Sequence, residues 1–451
     1  MQQGAALVVL AMVIALIASA AMIQYFSKAN IRQLKLQKTQ QSLATAKQAL
    51  LAYSTESLDT SATCDLNCAR PGDLPCPDNN NDGNSEISCN TQASRLGRLP
   101  WKTLGIDDIR DGAGERLWYA VSERFKNNTR ILPLNSDTLG TISLKAAQGN
   151  LIFDATNSMG LVAVVIAPNE ILTRADNLQQ NRSANNVSNA QHYLDTINGE
   201  DNADFIENSA NGFVLGNQSQ ENMVNDTIII ISKAEINAVM EQRVLTEVMQ
   251  AMLNHFCKRA SDTKIDGNTD IKNRGCKAAT SDAFLPDPAL MSDASCLGTA
   301  TIASTHCNAN NSVNLGRIPV GGNANWTAVG KGVNSILRGD AQNNWFQQNG
   351  WREMIFYARA PACQEATKNC SGAGFLTLNG AVTPIGVPSS LNKKLVLIAG
   401  GSMLSTQTRA TNLDKTAFSA YIEDENLSPL DDVFARYSAD TKKNDRVTSV
   451  P

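Results

Sequence analysis

The chain has 451 residues, of which 42% are hydrophobic and 5% aromatic, and it carries a net charge of −4. About 400 residues remain after the N-terminal helical stretch, a length for two to three domains with real cores. With no basic block after the first 40 or so residues, the electrostatic footprint of a nucleic-acid binder is missing, so nucleic acid is not expected as a partner.

In chain order, the first element is an uncharged run from Ala5 to Ser27 that follows Gly4 directly. At 1.5 Å per residue it is long enough for a bilayer core of about 30 Å. It continues without a breaker into a polar, helix-favouring stretch, so one helix is predicted to about Tyr53. A secretory signal peptide would show a basic start, a shorter apolar core and a small-residue cleavage site. Ala18-Ser19-Ala20 imitates such a site, but the apolar run goes on past it.

Gly4 followed by Ala5, Ala6, Leu7 and Val8, over about the first 50 residues, resembles the N-terminus of type IV pilins and type II secretion pseudopilins. The resemblance implies a leader removed between Gly4 and Ala5 by a prepilin peptidase, with methylation of the new N-terminus. It further implies an apolar helix that is stored in the inner membrane and packs against other pilins or pseudopilins in a filament. Two departures stand out: the leader Met1-Gln2-Gln3 has no Lys or Arg, and Val9 stands where the family carries a glutamate. Large tip-located minor subunits lack that acid, so the resemblance points to a subunit that initiates or caps a filament. An ordinary single-pass anchor would give the same hydropathy.

Lys28, Arg32, Lys35 and Lys38, just after the apolar run, argue by the positive-inside rule for a cytoplasmic C-terminal side. The cysteines argue the other way. There are ten, Cys64, Cys68, Cys76, Cys89, Cys257, Cys276, Cys296, Cys307, Cys363 and Cys370, all in polar, loop-like sequence. An even, clustered set fits disulfides in an oxidising compartment, here the periplasm. Zinc would want CxxC pairs or nearby histidines, and the three histidines are His192, His255 and His306, of which only His306 adjoins a cysteine. Nearest neighbours suggest the pairs 64–68, 76–89, 257–276, 296–307 and 363–370, among many connectivities.

The next element is an internal duplication. Leu96-Gly97-Arg98-Leu99-Pro100 returns as Leu315-Gly316-Arg317-Ile318-Pro319, and Glu115 to Ala120 returns as Glu353 to Ala358. Val162 to Pro168 matches Lys394 to Gly400, and Tyr193-Leu194-Asp195 followed by Phe205 matches Tyr421-Ile422-Glu423 followed by Phe434. Four blocks in one order describe a tandem domain rather than a solenoid. The predicted fold class is α+β: a leader over 1–4, a transmembrane and assembly helix over 5–53, and two disulfide-bonded repeats over 54–233 and 234–451. Each repeat is expected to pack a long helix on a small antiparallel sheet. For the second repeat that helix runs from Glu235 to Cys257, with Val239, Val244, Val248, Met252 and Phe256 at helical spacing. Ile228 to Ile231 reads as a buried strand closing the first repeat. Gly112 to Glu115 reads as a loop leading into a helix, and the Asn-rich stretches 178–189 and 198–211 as exposed loops.

Asp78, Asn80, Asp82, Asn84 and Glu86 place oxygens at alternate positions around Gly83, the front of a calcium loop. Cys89 occupies the place of the closing bidentate Glu, so a solvated Asx-type turn closed by a 76–89 disulfide is the stronger of the two readings. Asp262 to Asp270 is similar, but Lys264 sits at a ligand position, and a turn is expected there. Catalytic patterns are absent: there is no GxSxG, HExxH, phosphate loop, or GxGxxG between strand and helix. Arg338-Gly339-Asp340 is a three-residue match of the kind chance produces. The paired arginines Arg98 and Arg317 are expected to anchor a turn against a carboxylate.

These readings converge on a non-enzymatic, membrane-anchored minor pilin or pseudopilin. It would have a cytoplasmic N-terminus and a periplasmic head, exposed at the cell surface where a filament tip reaches it, and no cofactor unless calcium binds. The alternative is a membrane-tethered periplasmic adhesin or envelope binding protein that is not assembled into a filament.

Overall fold

In a computed structural model of the chain, the described residues are 3–56, 69–127, 132–216, 224–259, 285–299, 305–321, 336–337, 345–364, 374–379, 390–427, 433–435 and 443–450, with side chains described from residue 30 in the first helix and up to 252 in the second. The chain divides into two compact units, Met1–Leu50 with Pro75–Ser122 and Thr141–Ile231, and Leu51–Leu74 with Glu123–Gly140 and Ser232–Pro451.

The first helix, α1, runs from Gln3 to Glu56. Every residue from Asn30 to Lys38 is exposed, including Ile31, Leu34 and Leu36. From Thr39 onward one stripe turns inward: Thr39, Ser42, Leu43, Ala46 and Leu50 are buried, at the three- and four-residue spacing of a single helix face. In the first unit that face is tied down by polar contacts. Ser42 Oγ donates to the carbonyl of Arg110 at 2.7 Å, Gly112 N donates to Thr39 Oγ1 at 2.9 Å, and Lys35 pairs with Glu170. A Cβ on Gly112 would run into the Lys35 backbone, which is why the turn beneath the helix carries glycine.

Among the described residues no helix is long and apolar enough to cross a membrane. Where its side chains are described, α1 carries Arg32, Lys35 and Lys38 exposed beside Ile31, Leu34 and Leu36, and from Thr39 onward its apolar side chains Leu43, Ala46 and Leu50 are buried. This overturns the expected transmembrane helix over 5–53, the single-pass inner-membrane placement with its periplasmic head, and the prepilin description. The fold is mixed α/β, with four helices and several small sheets among the described residues. It also departs from purely antiparallel sheets, since one strand pair in each unit is parallel.

In the first unit the strands are β1 (Leu96–Arg98), β2 (Trp118–Val121), β3 (Leu144–Ala146), β4 (Leu151–Phe153), β5 (Ala163–Ala167), β6 (Thr196–Ile197), β7 (Glu200–Asp201), β8 (Phe213–Leu215) and β9 (Thr227–Ile231). The main sheet has the order β1-β2-β5-β9 and is antiparallel throughout. A second sheet, β4-β3-β8, pairs β3 with β8 in parallel. Parallel neighbours need a long crossover, and the segment between β3 and β8 supplies it. β5 reads Ala-Val-Val-Ile-Ala and is buried along its whole length, as a strand covered on both faces must be. Its Val164 and Ile166 join Leu96, Trp118, Ala120, Leu144, Tyr193 and Phe213 in one core. The segment after Gly112–Glu115 is strand β2, not a helix, because Trp118 to Val121 pair with both β1 and β5. β9 is half-buried over Thr227–Ile230 and fully buried at Ile231.

In the second unit, helix α2 (Lys233–Arg259) opens with a capping box: Ser232 Oγ accepts from Glu235 N, and Glu235 Oε2 accepts from Ser232 N. Ile236, Met240, Val244, Val248 and Met252 form a buried stripe at four-residue spacing. Next come β10 (Leu315–Arg317), the short helices α3 (Trp345–Gln348) and α4 (Trp351–Met354), β11 (Ile355–Arg359), β12 (Leu376–Asn379), β13 (Ser390–Lys393), β14 (Leu395–Ala399), β15 (Val433–Ala435) and β16 (Arg446–Val450). The main sheet has the order β10-β11-β14-β16, again antiparallel, and α2 packs on β14 and β16. The side sheet β13-β12-β15 pairs β12 with β15 in parallel.

Candidate functional site

The strand registers superpose the two units residue by residue. Leu96 faces Ala120 and Arg98 faces Trp118 in one, while Leu315 faces Ala358 and Arg317 faces Phe356 in the other. Tyr119 Oη donates to the carbonyl of Pro75 at 3.2 Å, and Tyr357 Oη does the same to Pro286. Gly97 and Gly316 occupy the same crossing, where a Cβ would strike Pro77 or Pro288 and the chain beyond it.

At the end of each main sheet lies a buried cluster of one arginine, its aromatic neighbours, a second arginine and two acids. Arg98 stacks between Trp118 and Tyr193, 4.2 and 3.9 Å from the ring centres, and Arg317 lies 5.3 Å from Phe356 and from Tyr421. Among the described residues neither arginine meets a carboxylate by hydrogen bond. Arg98 donates to the carbonyls of Arg116 and Val187, Arg317 to those of Glu353 and Lys415. Burial holds Arg98 down to about 10, and lowers Arg317 as well. The expected carboxylate anchor is thus replaced by backbone oxygens and ring faces, which suit a buried guanidinium.

The second arginine of each cluster, Arg182 or Arg409, lies over the same tyrosine, at 5.2 and 4.3 Å. Arg182 donates to the carbonyls of Asn169 and Pro168, and Arg409 to those of Gly401 and Gly400. Behind them sit the acids. Asp195 accepts from Asn225 N at 2.8 Å, Asp226 N at 3.2 Å and Gln180 Nε2 at 2.9 Å. Glu423 accepts from Asn444 N, Asp445 N and Gln407 Nε2 in the same way. Asp226 in turn accepts from Asp195 N and Asn202 Nδ2, and Asp445 from Glu423 N and Asn426 Nδ2. Asn202 spans to both the N–H and C=O of Val214, and Asn426 to those of Ala435. Burial raises Asp195 to about 6 and carries Asp226 and Asp445 well above the usual carboxylate range.

Sequence reasoning found the Tyr-x-acid halves of these clusters and missed the second acids. It also matched Phe205 to Phe434, whereas the parallel pairing places Phe213 opposite Leu144 just as Phe434 sits opposite Leu378. Phe205 stacks on Phe213 at 5.0 Å as an addition within the first unit.

In the disulfide loop of the first unit, Cys76 is bonded to Cys89, and in the second unit Cys296 to Cys307. Cys363 is also disulfide-bonded. Cys64, Cys68, Cys276 and Cys370, the side chain of Cys257, the surroundings of Gly4 and Ala5, the turn at 262–270 and the Arg338–Asp340 tripeptide lie outside the described residues. Within the 76–89 loop, Asp78 is buried and its two oxygens accept from Asp82 N at 3.1 Å and Gly83 N at 2.7 Å. Asn80 Oδ1 accepts from Asp82 N, Asp82 Oδ1 from Asn84 N, and Glu86 Oε1 from Asn79 N. These oxygens therefore serve the loop's own amides as stacked Asx turns. Among the described residues no group of three or more His, Cys, Asp or Glu is arranged to hold a metal ion.

An open cleft of about 620 Å³ lies in the first unit, lined by Asn185, Ser188, Asn189, Gln191 and Asp204 with Val187, Ala190 and Ala203. It offers amide and hydroxyl groups and one carboxylate, with no nucleophile–base pair among them. No family model matches the chain, and no curated protein or solved structure matches it either.

Proposed function

We propose that the protein is a non-catalytic subunit of a helical assembly, in the manner of a minor pilin or pseudopilin, and that α1 is the element through which it packs. The observation that carries this reading is the exposure of every α1 residue from Asn30 to Lys38, Ile31, Leu34 and Leu36 included. A helix of that length with exposed apolar side chains gains stability from a neighbouring helix. The interior acids and arginines support the same reading, since they are spent on holding loops and strands rather than on facing a cleft. Photo-cross-linking residues placed at Leu34 and Leu36 in the native cell test it. Cross-links to the corresponding helices of other filament subunits are the expected result, and a chain that stays uncross-linked while filaments are present refutes it. The polar cleft favours a second reading, a binding module outside any filament. Saturable binding to a surface by the chain, with no cross-links from α1, would select it.

A further inference from the structure

Within each acid pair the two members meet different numbers of donors, and the donor counts say which one holds the proton. Asp195 and Glu423 each receive three N–H donors, spread over both oxygens. Asp226 and Asp445 receive two, both on Oδ2. Their Oδ1 atoms are buried and have no hydrogen-bond partner among the described residues, in residues only 5% and 2% exposed. A charged carboxylate with one oxygen bare in such a place costs far more than the neutral carboxyl, so the proton belongs on this member of each pair. Two neighbouring acids in a dry site also cannot both be charged without strong repulsion.

The cations nearby do not remove the problem. Arg182 acts on both Asp195 and Asp226 but is shared with Glu115 at 3.5 Å. Arg174, bound to the carbonyl of Leu194, is paired with Asp176 and Asp201. In the second unit Arg409 is paired with Asp137, Lys443 with Asp424, and Arg446 with Glu241.

Position gives the pairs a mechanical meaning. Asp226 immediately precedes β9, and Asp445 immediately precedes β16, the last strand in the order of each main sheet. Through Asn202 and Asn426 the same acids reach β8 and β15 of the side sheets. We propose that each unit is closed by a proton-loaded acid latch, in which Asp226 or Asp445 holds the proton and its loss frees the terminal strand of the main sheet. The arrangement goes beyond the assembly reading above and does not depend on it.

The sign follows from linkage. Acids whose folded values are raised stabilise the fold fully below the ordinary carboxylate range near 4 and lose that contribution as pH rises through the folded values. For Asp195 that is about 6, and for Asp226 and Asp445 it lies higher. The latch is therefore tight in acid and loosens toward alkaline pH.

Amide hydrogen exchange of the full chain between about pH 5 and 8, corrected for the intrinsic rate, tests it. Protection of Ile228–Ile231 and of β16 is expected to fall with pH, by up to about tenfold per pH unit for one proton. Asp226→Asn keeps an acceptor for the same donors but cannot ionise, so it should flatten the dependence in β9, and Asp445→Asn should do so in β16. Flat protection in the unaltered chain, or an unchanged slope in both variants, overturns the proposal. If a variant does not fold, the infrared carboxylic-acid band of the unaltered chain at pH 7 decides: a buried protonated carboxyl is expected, and its absence overturns the latch.

Discussion

Breaking the Cys76–Cys89 bond with the paired change Cys76→Ala and Cys89→Ala is expected to lower the stability of the first unit by about 3 kcal/mol. The bond spans a sequence separation of 13. Closing a loop of that size removes about 10 cal/mol/K of unfolded-chain entropy, or about 3 kcal/mol near room temperature. The amide bonds to Asp78 do not substitute for it, because they exist only in the folded loop and leave the unfolded chain unrestricted. Both sulfurs are fully buried, so the alanines add a small void to the loss. The assay is hydrogen exchange of the slowest amides of β5, the buried strand paired on both sides in the main sheet and so expected to open with the unit as a whole. Their exchange should accelerate on the order of a hundredfold, the equivalent of about 3 kcal/mol. An acceleration below about tenfold would refute the reasoning, since it would mean that the unfolded segment is already closed without the bond.

Two further outcomes follow from the same structure. Tyr119→Phe and Tyr357→Phe each strip the donor from a buried proline carbonyl, Pro75 or Pro286, and should each cost about 1 to 2 kcal/mol in urea unfolding. A neutral result in one but not the other would break their equivalence. Millimolar calcium should leave the thermal midpoint where a chelator leaves it, because both oxygens of Asp78 and one oxygen each of Asn80, Asp82 and Glu86 already accept from amides of their own loop. A saturable upward shift with calcium would show that the loop rearranges around the ion.

What was legible in the sequence was what hydropathy and identity carry. The Leu-Gly-Arg blocks, the Val-rich strand of each copy and the apolar stripe of α2 are all visible as patterns of side-chain type. The helix assigned after Gly114 was misread because Glu115 to Ala120 has helical propensity in isolation, while pairing with strands on both sides decides the matter in the fold. The transmembrane span was misread for a related reason: an apolar run reports what a segment avoids, not what covers it, and among the described residues no helix is long and apolar enough to cross a membrane, while α1 packs against protein from Thr39 onward. The second acids were the least legible. Asp226 and Asp445 lie in short polar joints, Asn225-Asp226-Thr227 and Asn444-Asp445-Arg446, that resemble any turn. Only the recurrence of Asn-Asp just ahead of the closing strand in both copies would have marked them.

The Asp195 and Glu423 pair bears on how these copies can diverge. One cluster is built around an aspartate and the other around a glutamate one methylene longer, yet each meets the same three kinds of donor. Each backbone must therefore have settled around the length of its own acid. Exchanging the two residues would leave a gap in one unit and a clash in the other. The sequences of the copies can drift freely on their surfaces, but at this point each is bound to a private fit, and a segment moved from one copy to the other would carry its function only if the acid, its glutamine and its asparagine travelled together.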